Sequence, residues 1–169
     1  MKLLRFLVAI AMAMALPLCA VAKPNPIAPD VRSSLFVKDV TMTWNLKKPP
    51  AKPDDPDYVA YKADFEPRLK QIVAEAFAKS PAGADAAAFA IEVTDFSAAT
   101  TGAYMQANVT VTRLSDGAVL GVYPKVRGFQ GSNGGLLGVL VQAMVKPDVI
   151  GIMSANFAAV LRAKFDAKK

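Results

Sequence analysis

The residue types that carry out most nucleophilic and metal-dependent catalysis are scarce in this chain. Its 169 residues include no histidine and only one cysteine, Cys19. Without histidine the chain cannot form the Ser-His or Cys-His pairs that activate a nucleophile. A disulfide framework and metal sites built on thiolate or imidazole are excluded as well. We therefore expect no catalytic residue, no metal site and no cofactor.

Carboxylates are the remaining side chains with acid–base chemistry, and no spacing selects two of them as a catalytic pair. The candidates are Glu66, Glu75, Glu92, Asp95 and Asp116. The cluster of Asp54, Asp55 and Asp57 lacks the spaced oxygen ligands and the glycine of a calcium loop, so we interpret it as solvated charge. No Ser-x-x-Lys motif occurs either. A carboxylate-dependent hydrolase is therefore only the third functional alternative.

A glycine-rich stretch at residues 128–135, GFQGSNGG, is the segment that most resembles a binding loop. Glycines before a helix can present backbone N–H groups to an anion. The stretch lacks the Lys-Ser or Lys-Thr of a P-loop, the glycine spacing of a dinucleotide site and a nucleophile elbow. We interpret it as a strand-to-helix connection whose glycines take positive φ.

The first 22 residues have the pattern of a bacterial signal peptide. Two basic residues precede an apolar run at residues 6–16, and small residues, Ala20 and Ala22, stand before Lys23 at the expected cleavage site. The apolar run is shorter than the roughly 20 residues that cross a bilayer. We expect cleavage before Lys23, a periplasmic location and no transmembrane helix in the mature chain.

Lipidation is the alternative fate of this N-terminus. The sequence Leu16-Pro17-Leu18-Cys19 resembles a lipobox, in which the cysteine is lipidated and becomes the first residue of an outer-membrane lipoprotein. Leu18 departs from that motif, which has a small residue before the cysteine. Anchoring at Cys19 therefore stands as the alternative to a soluble periplasmic protein.

The charge of the mature chain favours an anionic envelope surface or another envelope protein as partner. Removing Lys2 and Arg5 from the 20 basic residues leaves 18 against 14 acidic residues, a net charge of +4. These charges are scattered and form no run, which is ordinary for a basic soluble protein. Export makes nucleic acid an improbable partner. About 147 residues form one domain of ordinary size.

The first half of that domain reads as a tether, a strand, a loop and a helix. Residues 23–34 contain three prolines and predict an extended, flexible tether. Residues 35–44 alternate, with Phe36, Val40, Met42 and Trp44 on the apolar side, which predicts a half-buried strand. Four prolines predict a long loop at 45–62. A helix is expected from an N-cap at Asp64, with Pro67 in its first turn.

The second half reads as three strands and a closing helix. Alternation predicts a second strand with Phe89, Ile91 and Val93 inward, and a third with Met105, Ala107, Val109 and Val111 inward. A turn at Ser115-Asp116-Gly117 leads to a fourth strand, with Leu120, Val122 and Val126 inward, where Pro124 indicates an edge or a bulge. Residues 136–145 are a buried helical turn or an interfacial patch. The last helix is expected from Asp148, burying Val149, Met153, Phe157, Val160 and Leu161.

The order of these elements predicts an α+β domain at 35–169, with strand, helix, three strands and helix in sequence. Both helices are expected on one face of a four-stranded, mostly antiparallel, twisted sheet. The other face stays polar and can bind a partner or remain solvated. The partner-binding candidates on this face are Thr110, Thr112, Tyr123, Lys125 and Arg127, with Thr41, Thr43, Glu92, Thr94, Gln106 and Asn108 beside them.

This pattern of strand, helix, Asp116-Gly117 hairpin, glycine-rich loop and closing helix resembles a class of small Gram-negative envelope proteins and lipoproteins. Their domain is similar to the N-terminal domain of TolB. The resemblance covers most of residues 35–165 and is architectural, with no diagnostic motif or catalytic residue. It implies an accessory role in the periplasm or at the outer membrane. We expect a non-enzymatic periplasmic accessory or binding protein, with a peripheral membrane-surface protein or outer-membrane lipoprotein as the alternative.

Overall fold

The computed structural model describes residues 25–48, 53–54, 56–78, 85–99, 102–130 and 148–167. In these ranges the elements are α1 (Pro29–Ser34), β1 (Leu35–Trp44), α2 (Pro56–Ala76), β2 (Asp85–Ala99), β3 (Gly102–Arg113), β4 (Val119–Gln130) and α3 (Val149–Asp166). Cys19, Ala20, Ala22 and Lys23 lie outside the described residues, as do most of the glycine-rich stretch and the apolar residues 136–145.

The four strands form one sheet in the order β1-β2-β3-β4. β1 pairs with β2 in parallel, and the other two pairs are antiparallel. The parallel pair needs a crossover, and α2 provides it. α2 packs on β1 and β2, α3 packs on β4 and β3, and the two helices contact each other. The predicted α+β architecture, with both longer helices on one face, is confirmed.

The core lies between that face and the helices, where the alternation of β2 and β3 places it. Their inward residues are almost completely buried, and so are Phe65, Leu69 and Val73 of α2. Each buried side chain of this size stabilises the fold by roughly 1.5–3 kcal/mol. From α3, Met153, Phe157 and Leu161 enter the core as expected. Val160 was wrongly placed there, since it is 36% exposed.

Bulges break the regular alternation of the two edge strands. The pairing of β1 shifts between Val37 and Asp39. Leu35 and Val37 are therefore buried on the core side, and the prediction that Phe36 shares a face with Trp44 is wrong. An extra residue turns every side chain before it to the opposite face. A similar shift occurs in β4 and has a larger consequence for the candidate site.

α2 begins eight residues before the predicted start, which corrects the long loop at 45–62. The prolines that indicated a loop precede this helix or, in the case of Pro56, occupy its first position, where a missing N–H costs nothing. Asp64 is not an N-cap but lies within the helix, where it pairs with Arg68 at 2.9 Å. Pro67 accordingly lies in the helix interior rather than in the first turn.

The predicted tether is a structured part of the domain. Ile27 is buried, and residues 29–34 form the short helix α1. The side-chain amide of Asn25 donates to three carbonyls at the end of α3, at 2.8 Å to Lys164, 3.1 Å to Phe165 and 3.2 Å to Ala167. Arg32 donates to the Phe165 carbonyl and, at 3.0 Å, to the Ala167 carbonyl. These contacts satisfy the free carbonyls of the helix end, so the segment is fixed rather than flexible.

Two glycines explain how β3, β4 and α3 connect and pack. Gly117 has φ of +71° and forms the predicted turn, in which Asp116 accepts a hydrogen bond from the Ala118 N–H at 3.0 Å. Gly128 belongs to β4, not to a loop, and its φ is not positive. A Cβ at Gly128 would lie 2.6 Å from the Met153 carbonyl oxygen. Its role is therefore the close approach of α3 to the strand.

Candidate functional site

The candidate site is the face of the sheet opposite the helices, which we call the open face. Thr41 and Thr43 of β1 are exposed there, and Thr110 and Thr112 of β3 are half-buried. The other polar groups there include Glu92 and Asp95 of β2, Gln106 and Asn108 of β3, and Lys125 and Arg127 of β4. The alternation of each strand brings them to one side because the core occupies the other.

A chain of hydrogen bonds on this face links the end of β1 to β2, β3 and β4. Asn45, which follows β1, donates to the Glu92 carboxylate at 2.6 Å, and Asn108 donates to its other oxygen at 3.0 Å. The side-chain oxygen of Asn108 accepts the Lys125 backbone N–H at 3.2 Å. Because the Asn108 amide is held on both sides, the fold itself fixes the polar groups of this chain.

Glu92 is the acidic centre of the open face. Hydrogen bonds from Asn45 and then Asn108, assisted by the charge of Lys47, lower the pKa of its carboxyl below the ordinary value. Donors stabilise the ionised form, and this outweighs the opposing effect of partial burial. The carboxylate is therefore charged at neutral pH and fully engaged by donors.

The β4 side of the open face is basic. Lys125 and Arg127 are exposed, and Arg127 donates to the Gln106 side chain at 3.1 Å. Lys125 stands in a bulge, opposite Asn108, with φ of +51°. Such a backbone is uncommon for a residue other than glycine and requires support from its surroundings. Both expectations for Pro124 are confirmed, since β4 is an edge strand and is bulged at this point.

The bulge removes Tyr123 from the open face, which corrects its predicted position. Tyr123 is 3% exposed on the core side, paired with Val109. Its hydroxyl donates to the Asn25 side chain at 2.9 Å, and burial raises its pKa to about 12. Thr94 is absent from the open face for the same kind of reason. It stands at a bulge in β2, is buried, and donates to the Gln106 carbonyl at 3.2 Å.

Exposed apolar side chains that no sequence pattern indicated adjoin the basic edge. Val122 and Phe129 of β4 are 43% and 56% exposed. Val122 pairs with Thr110 and Phe129 with Tyr104, so both stand on the open face. The alternation along this edge strand could have indicated that these side chains are exposed. It did not, because a regular alternation without the bulge places Val122 in the core.

The five carboxylates considered for acid–base chemistry are divided among α2, the β3–β4 hairpin and the open face. Glu66 pairs with Lys70 at 2.7 Å, and Glu75 accepts from Gln71 at 2.8 Å, both on α2. Asp116 belongs to the hairpin, and its pKa is lowered chiefly by the Ala118 N–H. Glu92 and Asp95 are both on the open face, where Glu92 pairs with Asn108 and Asp95 with Gln106. The described residues contain no group of three or more acidic or cysteine side chains able to hold a metal.

A cleft of about 870 Å³ lies on the helix side of the molecule, between the end of β1 and the first half of α2. Its apolar wall is formed by Trp44, Leu46, Tyr58 and Val59, and its charged groups are Lys62, Glu66 and Lys70. No motif predicted this cleft. Half of the residues that line the cleft belong to segment 45–62, which was predicted to be a loop.

The aromatic wall of the cleft is held by contacts with the core. Trp44 packs edge-on against Phe65 and Phe96, with ring centroids 5.8 and 5.2 Å apart. Tyr58 packs against Phe96 at 6.0 Å, and burial raises the pKa of its hydroxyl. On the cleft side, the Lys62 ammonium stands 4.7 Å from the centre of the Trp44 ring.

Comparison with known proteins assigns the chain to no family. No protein-family model matches it, and no curated protein matches it. Within the described ranges, no helix has the length and apolar character needed to cross a membrane.

Several solved structures share a distant likeness with the chain. A PelC dodecamer from Paraburkholderia phytofirmans is 13% identical, with 77% of this chain and 87% of that chain covered and a TM-score of 0.40. A predicted lipoprotein from Caulobacter crescentus is 10% identical, with 80% and 90% covered and a TM-score of 0.37. At these values the likeness decides no function, and it does not establish the TolB-like architecture.

Proposed function

We propose that this chain is a non-enzymatic accessory protein of the bacterial cell envelope that binds an acidic surface of another envelope protein through its open face. The observation that carries the proposal is the hydrogen-bonded chain from Asn45 through Glu92 and Asn108 to Lys125. It fixes polar groups on a sheet face that the helices leave uncovered.

Charge and apolar surface together select a protein partner. The neighbouring Lys125 and Arg127 make the β4 side basic, while the one carboxylate in the hydrogen-bonded chain already has two donors. The exposed Val122 and Phe129 add apolar surface beside these charges. Arginine and aromatic side chains within a polar surround are typical of protein interfaces.

Photo-crosslinking tests which face binds. A photoreactive residue at Thr110 is expected to trap a discrete partner in intact cells, whereas one at Ile152, which is 42% exposed on α3, is not. Both positions are accessible, but only Thr110 is on the open face. Equal trapping at the two positions, or none at Thr110, would contradict the proposal.

Charge reversal tests what kind of surface is bound. Arg127→Glu should abolish the Thr110 crosslink, whereas Lys38→Glu on the opposite edge strand should leave it intact. If the crosslink survives Arg127→Glu, the acidic partner is wrong. A trapped lipid in place of a protein would favour the membrane-surface alternative.

The proposed location is the periplasm, after cleavage before Lys23. The mass of the N-terminal peptide of the exported protein tests this. A peptide beginning at Lys23 supports a soluble periplasmic protein, whereas a lipid-modified Cys19 supports the outer-membrane lipoprotein. An intact Met1 would contradict export.

A further inference from the structure

The cleft between β1 and α2 has the composition of a small-molecule site. Its volume of about 870 Å³ falls in the range of about 300–1,000 Å³ that is usual for ligand pockets. It lies on the helix side of the sheet, so a ligand there would not compete with a partner on the open face. The apolar wall includes Val59, which is 52% exposed and has no helix or strand packed over it among the described elements.

The charges of the cleft select an anion. Among the described lining residues, Lys62 and Lys70 contribute two positive charges and Glu66 one negative charge, a net charge of +1. Glu66 and Lys70 neutralise each other at 2.7 Å. Lys62 makes no salt bridge within the described part of the chain, and its ammonium contacts the Trp44 ring. It is therefore the group that would bind a negative charge.

We propose that the cleft binds a long-chain carboxylate, with its carboxylate on the Lys62 ammonium and its alkyl chain against Trp44, Leu46, Tyr58 and Val59. A single net positive charge matches a carboxylate better than a phosphate monoester, which carries close to two negative charges. Among the described residues that line the cleft there is no arginine to form the bidentate contacts that favour phosphate. A cationic amphiphile would be favoured on the face of the Trp44 ring, but the Lys62 ammonium already occupies that face and would repel it.

The single tryptophan of the chain provides a direct reading of this site. Trp44 lies in the cleft wall, so titration of the processed, exported protein with sodium dodecanoate below its micelle concentration should change the fluorescence saturably. Dodecyltrimethylammonium has the same tail and the opposite charge, and should bind at least tenfold more weakly. Equilibrium dialysis with radiolabelled dodecanoate gives the same affinities without relying on the fluorophore.

Substitution of the charge and of the wall tests the two parts of the site separately. Lys62→Met keeps the side-chain length and removes the ammonium, and should weaken dodecanoate binding about tenfold, because a charge-assisted contact contributes roughly 1.5 kcal/mol. Val59→Asp places a carboxylate in the wall and should weaken binding at least as much. Both residues lie at the surface of α2, so these variants are expected to fold, which far-UV circular dichroism checks.

Lys38→Met is the matched control, because it removes the same charge from an exposed position of β1 that does not line the cleft. It should leave dodecanoate binding unchanged. The proposal is overturned if dodecanoate gives no saturable binding, if the cationic amphiphile binds equally well, or if Lys62→Met binds like the unaltered protein. Equal weakening by Lys62→Met and Lys38→Met also overturns it, because that result indicates non-specific attraction. None of these outcomes depends on the open face binding a partner.

Discussion

At the scale of single residues, Glu92 is the group of the open face whose ionisation follows from its hydrogen bonds. Glu92 accepts from two asparagines, and its lowered pKa reflects those donors rather than a reactive role. Perturbed carboxyl groups also occur in structural networks, so the shift alone is no sign of catalysis. The lowered pKa of Glu92 instead affects the free energy of unfolding at acidic pH.

Replacing Glu92 with glutamine should remove a stabilising effect that depends on pH. A carboxyl whose pKa is lowered by folding stabilises the folded state above the unfolded pKa, near 4.3, and loses this effect as pH falls through the folded pKa. The free energy of unfolding of Glu92→Gln, measured in urea, should therefore be lower than that of the unaltered protein at pH 6. The difference should shrink below about pH 4.

The control for this prediction removes the donors. In a background with Asn45→Ala and Asn108→Ala, the Glu92→Gln difference should no longer depend on pH. If the difference still depends on pH in that background, other charged groups cause the dependence.

Tyr123 should show the opposite dependence, in alkali. Burial raises its pKa to about 12, so folding favours the neutral phenol. The stabilisation is complete below the unfolded pKa, near 10, and is lost as pH rises through the folded pKa. Tyr123→Phe should cost about 0.5–1.5 kcal/mol at pH 7, because it loses the hydrogen bond to Asn25. In urea unfolding this deficit should disappear or reverse by about pH 11; a deficit independent of pH would contradict the assignment.

At the scale of elements, the contact between β4 and α3 depends on a missing side chain. Gly128 allows the helix backbone to approach, and a Cβ would lie 2.6 Å from the Met153 carbonyl oxygen and 2.7 Å from the Phe157 Cβ. Backbone atoms of a packed helix cannot move separately from the helix.

Gly128→Ala should therefore lower the free energy of unfolding by roughly 1–3 kcal/mol, the usual cost of overpacking. Thermal and urea denaturation measure it. A stability equal to that of the unaltered protein would show that the packing of α3 on β4 does not depend on this close approach.

The elements also show what the sequence determines and what it leaves open. Regular alternation in β2 and β3 predicted their inward residues because no bulge interrupts those stretches. The bulge at Lys125 depends on pairing with β3, which a single strand does not reveal, so Tyr123 and Val122 were assigned to the wrong faces. The prolines before α2 were interpreted as helix breakers because the position of Pro56 at a helix start depends on where the helix begins.

Long-range contacts were the other source of error. Asn25 and Arg32 bind carbonyls at the far end of the chain, and nothing in residues 23–34 indicates those partners. The cleft was missed for a similar reason, because Trp44 and Lys62 meet only when β1 and α2 pack together.

At the scale of the whole molecule, one aromatic cluster connects β1, α2 and β2. Trp44 of β1 contacts Phe65 of α2 and Phe96 of β2. Its fluorescence therefore reports on the strand, the crossover helix and the sheet together.

Unfolding in urea should give the same midpoint by Trp44 fluorescence and by far-UV circular dichroism, as expected for a two-state domain of this size. Phe96→Leu should lower both midpoints together. If fluorescence changes at a lower urea concentration than circular dichroism, the end of the domain that carries the cleft unfolds independently.

The hydrogen bonds of Asn25 also determine when, after synthesis begins, the domain can complete its fold. Its partners at the end of α3 lie 139 and more residues later in the chain. At about 5–20 residues per second, the ribosome needs on the order of ten seconds to make that length. Tyr123 itself is made 98 residues after Asn25, and its acceptor Asn25 lacks the helix end that holds it until Lys164 has followed. Final closure of the domain is therefore one of the last events in its biogenesis, and a chain that stops before Lys164 never reaches it.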